Sequence, residues 1–121
     1  MTAEAPTVDL PTLDRLRELQ REHEPSLVAE LVGEFLSRAP QRIARMRAAL
    51  EAGDMAALEF ESHGLAGSCG VLGVIRMRIS CLELEELARR KALALVPGAL
   101  DDVIRCLEEA RPILNDAARR G

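Results

Sequence analysis

The run Ser62-His63-Gly64-Leu65-Ala66-Gly67-Ser68-Cys69-Gly70-Val71-Leu72-Gly73 holds the side chain best suited to chemistry. Imidazole has an unperturbed pKa near ~6.5, so a neutral, nucleophilic ring is available near neutral pH. The glycines around His63 are informative because an interior helical glycine costs ~1 kcal/mol relative to alanine. Gly67 lies one helical turn beyond His63 and Gly70 lies two turns beyond. Ala56 and Ala66 flank the same face, so His63 projects from a surface stripped of bulky neighbours. A second protein could bring a reactive group close to it there. Gly64 points elsewhere and suits close helix packing. A lone helical histidine is ordinarily a surface or satisfied residue; the glycine setting separates His63 from His23. The latter lies in Glu22-His23-Glu24-Pro25 at a helix junction and reads as solvated. Glu59, one turn before His63, reads either as an acceptor that holds the ring or as a solvated acid.

The elements that position this stretch are helical. Hydrophobic residues make up 48% of the 121, with only Phe35 and Phe60 aromatic, which suits helix-on-helix packing rather than a sandwich. No segment alternates like a strand, and no repeat or low-complexity segment occurs. Residues 1–7 read as a flexible tail and 8–121 as one domain. A first helix is predicted from about Asp9 to Glu22, capped by Asp9 with Pro11 in its first turn. A second runs from about Pro25 to Glu51 with Leu27, Leu31, Phe35, Ala39, Ile43, Met46 and Leu50 on one face, and a kink at Pro40. A third runs from the Asp54 cap to about Cys69, with Phe60 either on the docking face or, as its size favours, in the core. A fourth spans about Gly73 to Lys91 and carries Glu85–Arg89 and Glu86–Arg90 pairs. A fifth follows Pro97-Gly98 and is kinked or ended by Pro112. The predicted fold is all-α: an antiparallel up-down four-helix bundle with an additional short N-terminal helix.

Charge and cysteine usage narrow the function. A net charge of −4 and few aromatics argue against a nucleic-acid binder. No apolar run approaches the ~20 residues of a membrane span, and Met1 to Thr7 lacks the pattern of a secretion signal. Cys69, Cys81 and Cys106 are odd in number and widely spaced, which fits buried thiols in a reducing cytosol. The expected location is therefore cytoplasmic. A di-iron bundle needs paired Glu-x-x-His motifs, and here the relation is Glu59 to His63 with no second copy. No metal site is expected.

The His63 string resembles the signature of histidine-containing phosphotransfer (HPt) domains, approximately H-x-L-K-G-S-x-x-x-L-G. Met77, Cys81, Leu84-Glu85 and Arg89 continue the match, and Val8-Asp9-Leu10, the Phe35 helix and Ala52-Gly53-Asp54 extend it upstream. The resemblance implies a carrier in two-component signalling. His63 would accept a phosphoryl group from a receiver-domain aspartate and pass it on, with Nε2 as the usual acceptor atom. It implies receiver domains as partners, within reach of a hybrid sensor histidine kinase, with Mg²⁺ on the receiver and no cofactor or catalytic machinery in this chain. The implied docking face is Ala56, Glu59, Ala66, Gly67 and Gly70. The family lysine three residues after the histidine is Ala66 here, so Arg38, Arg42 and Arg45 on the second helix stand as candidates to stabilise the phosphate. The alternative is a degenerate module that binds a receiver without phosphotransfer.

Overall fold

The computed structural model describes residues 5–20 and 26–120. Among them are five helices: α1 Leu10–Glu18, α2 Leu27–Ala52, α3 Met55–Leu72, α4 Ile75–Arg89 and α5 Val96–Arg120. α3 packs most extensively on α4 and then on α2, while α5 closes the ring against α2 and α4. α1 lies on α2 and α3. This is the predicted four-helix bundle with its short N-terminal helix. Its core is aliphatic and sulfur-rich, with Leu58, Leu65, Met46, Met77, Leu84 and Leu114 fully buried.

Local chemistry sets the helix ends. Ser26 caps α2 by accepting the Ala29 amide, and Asp54 caps α3 by accepting the Ala57 amide. Gly53 and Gly73 adopt φ of +70° and +69° after α2 and α3. Both allow the paired carbonyl bonds of a left-handed cap: Asp54 N to Ala49 O, and Val74 N to Cys69 O. Lys91 does the same for α4 at φ +57°, a conformation that disfavours a side chain. Gly73 is doubly constrained, because a Cβ there would lie 2.9 Å from Thr12 Cβ. The Asp9 amide also donates to the Gly73 carbonyl at 2.7 Å, so α1 is pinned onto the α3–α4 turn.

Several expectations need correction. α1 begins one residue later than predicted and ends at Glu18; Asp9 gives no side-chain cap and instead accepts from the Thr12 hydroxyl. His23 lies outside the described residues. The buried face of α2 is Val28, Val32, Phe35, Ala39, Ile43, Met46 and Ala49, so the predicted stripe holds in the middle and shifts by one residue at each end. α3 runs three residues past Cys69, to Leu72. α5 continues through Pro112 to Arg120. The donor that Pro112 lacks would have served the carbonyl of exposed Glu108, which water can satisfy. In the stretch expected as a loose tail, the Ala5 carbonyl accepts from Arg76 Nε at 2.6 Å.

Candidate functional site

α3 carries two stripes at heptad spacing. Met55, Leu58, Ser62, Leu65, Cys69 and Leu72 are buried. Beside them Ala56, Phe60, His63, Gly67 and Gly70 recur at steps of four and three and are all exposed. Such spacing ordinarily marks a packing seam, and among the described residues no element covers it. Phe60, which the sequence left open between core and docking face, is 71% exposed on this seam. Ala66, expected on the docking face, is 3% exposed and belongs to the core. It sits one turn beyond buried Ser62 and three residues before buried Cys69, which turns its methyl inward.

The His63 side chain is 75% exposed at the middle of the seam. Its Nδ1 lies 3.1 Å and 3.3 Å from the two carboxylate oxygens of Glu85 on α4. Glu85 is 16% exposed and therefore firmly placed. An ionised carboxylate only accepts, so this bond puts the ring proton on Nδ1 and leaves the lone pair on Nε2. The sequence offers Glu59, one turn back, as an acceptor or a solvated acid, and suggests an Arg89 partner for Glu85. In the structure Arg89 pairs with Glu86, which frees Glu85 for the imidazole. The motif continuation Leu84-Glu85 was the available signal, but it does not say which side chain it meets.

The glycines have different reasons. A Cβ on Gly64 would fall 2.2 Å from the Arg42 guanidinium, so Gly64 makes room for an arginine and not for a helix backbone. A Cβ on Gly67 would meet nothing within 4 Å. No neighbour inside the fold requires glycine there, so the bare surface is available to a visitor.

The arginines proposed for the phosphate are engaged elsewhere. Arg42 and Arg45 bind the two oxygens of Glu61, each at 3.0 Å, and Arg38 pairs with Glu34. Glu61 is 13% exposed and lies roughly 200° around α3 from His63. This fork ties α2 to α3 next to the histidine turn without reaching the imidazole.

Cys69 and Cys81 are buried and share a hydrogen bond that, with desolvation, pushes the Cys81 thiol far above the ordinary range. Burial also raises the Cys106 thiol. Among the described residues, no three His, Cys, Asp or Glu side chains gather as a metal would need. Among the described residues, no helix is long and apolar enough to cross a membrane.

Comparison with known proteins agrees with this geometry. The family model of the Hpt domain matches residues 30–112, most of the chain. Multistep phosphorelay regulator 1 of Schizosaccharomyces pombe is 29% identical over 116 residues, covering 91% of this chain. The chain spans only 39% of that relative's length. The crystal structure of histidine-containing phosphotransfer protein B from Pseudomonas aeruginosa superposes with a TM-score of 0.86 at 29% identity, covering 98% of this chain and 99% of that one. The maize phosphotransfer protein ZmHP2 shares the fold, with a TM-score of 0.82 at 23% identity, covering 94% of this chain and 86% of that one. With an exposed, carboxylate-oriented histidine on a bare helical seam and a family model spanning most of its length, the chain belongs to the Hpt domain family.

Proposed function

We propose that this protein is a phosphorelay intermediate that accepts a phosphoryl group on His63 from a receiver-domain aspartate and returns it to another receiver. The observation that carries the reading is the oriented ring: Nδ1 faces Glu85, and the His63 side chain is 75% exposed. The Nε2 lone pair attacks phosphorus in line. The bond from phosphorus to the aspartyl oxygen breaks, and the carboxylate leaves with the electron pair. No proton need move. The ring becomes an N-phosphorylated imidazolium whose positive charge sits beside Glu85, and the reverse displacement regenerates the neutral ring.

The division of labour follows from what the chain offers. Phosphoryl transfer depends mainly on positioning and charge neutralisation. This chain supplies one oriented nucleophile on a helix held by α2 and α4. The receiver would supply the aspartate and its Mg²⁺. With Ala66 buried and the α2 arginines held by carboxylates, this chain brings no lysine to the phosphate. Ala56, Gly67 and Gly70 would form the contact surface with half-buried Glu59 at its margin, and Phe60 joins them as an exposed apolar anchor.

The test mixes the protein with phosphorylated receiver domains and follows acid-labile label. Wild type takes label, and His63→Gln takes none. Label on the variant would reject the assignment. A wild type that binds receivers but never takes label would favour the binding-only alternative.

A further inference from the structure

The chain carries a net charge of −4, and the surroundings of His63 are acidic. Glu85 touches the ring, and Glu59 lies one turn before it. A partner presenting an aspartyl phosphate is also anionic at its reacting centre. Two like-signed faces slow encounter unless a cation intervenes.

Most arginines near the site are already paired. Arg42 and Arg45 are held by Glu61, Arg38 by Glu34 and Arg89 by Glu86. Arg78 differs. It is exposed on α4, and among the described residues its guanidinium has no ion-pair or hydrogen-bond partner. Its Nε and Cδ lie 3.6 Å and 3.8 Å from where a Cβ on Gly70 would sit, so the side chain lies along the glycine end of the seam. Arg78 precedes Glu85 by two turns on the same face of α4, about 10 Å along the helix. Its side chain lies against Gly70, two turns beyond His63 on α3. It is well within the footprint of a docked domain, which covers about 800 Å² per partner.

We propose that Arg78 is a specificity-determining docking cation, which pairs with a carboxylate on the rim of the phosphorylated receiver and offsets the acidity around His63. This rests on the phosphotransfer reading above. Arg78 acts on encounter and orientation and takes no part in the chemical step.

The experiment uses the full chain and a labelled phospho-receiver that wild type accepts. Arg78→Glu, Arg78→Gln and Arg78→Lys are compared with Arg47→Gln, an equal charge change on an exposed position of α2. Both kcat/KM and the limiting rate at saturating receiver are measured between ~50 and ~300 mM salt. At low salt, Arg78→Glu lowers kcat/KM about tenfold and Arg78→Gln about threefold, while Arg78→Lys and Arg47→Gln stay near wild type. The limiting rate holds within about twofold, and the salt dependence flattens in Arg78→Gln. Equal kcat/KM for Arg78→Glu and wild type would overturn the assignment, as would a loss confined to the limiting rate or an equal loss in Arg47→Gln. A wild type that takes no label from any receiver overturns the phosphotransfer reading as well, which separates the two failures.

Discussion

At His63 the two ring nitrogens have different surroundings, and Glu85 is the cause. The carboxylate lies against Nδ1, where positive charge would develop under the proposed phosphorylation of Nε2. A hydrogen bond of this kind contributes about 0.5–1.5 kcal/mol, which corresponds to ~2- to ~10-fold in rate. Glu85→Ala is therefore expected to slow label uptake by that factor while leaving the circular-dichroism melt near wild type. Glu85→Gln keeps an acceptor oxygen without the charge and should fall between the two. Equal rates in all three proteins would remove Glu85 from the mechanism. His63 was legible in the sequence because its glycine neighbours are local. Its partner was not, because the contact joins positions on two helices whose facing depends on how α3 and α4 pack.

At the scale of elements, α3 decides the site. Its buried and exposed stripes are both rich in small or apolar residues, so periodicity alone could not say which one faced solvent. That is why the sequence leaves Phe60 open between core and surface and suggests a surface position for Ala66, whereas the fold exposes Phe60 and buries Ala66. Gly67 makes the division testable. Because a methyl there meets nothing, Gly67→Ala should stabilise the protein by up to about 1 kcal/mol, read from urea unfolding. The same methyl stands one helical turn beyond His63, on the face proposed to meet a receiver, and should slow transfer. A variant that is both more stable and equally fast would show that the bare seam is not used. Helix ends were more readable than faces: Gly53, Asp54 and Gly73 act where their residue types predict. Pro112 does not end α5, and the carbonyl it leaves without a donor belongs to exposed Glu108.

Across the whole molecule, the bundle hides its reactive sulfur. Cys69 and Cys81 are buried at the α3–α4 interface, and both Cys81 and Cys106 are shifted toward the neutral thiol. A group whose folded pKa is raised contributes stability in full below its unfolded pKa and loses it as pH climbs beyond. The chain has no tyrosine and a single lysine, so few other side chains titrate in the alkaline range. The urea midpoint should therefore hold from pH 7 to about 8.5 and fall above it, less steeply in Cys81→Ala. Matching slopes in the two proteins would contradict this. In the native protein at neutral pH, a thiol reagent should react slowly with Cys106 and leave Cys69 and Cys81 untouched until denaturant is added.

The sequence alone determined the helical class, the order of the elements, most of their ends and the identity of the candidate nucleophile. These follow from local propensity, capping chemistry and a contiguous motif, and each is settled within a few residues of chain. Tertiary structure decided which stripe of α3 stays bare and that Glu85, not Glu59, orients the ring. It also placed Arg42 and Arg45 on Glu61 and left the Arg78 guanidinium without a partner among the described residues. Those outcomes depend on the rotation of each helix about its own axis, which only packing against the other helices fixes.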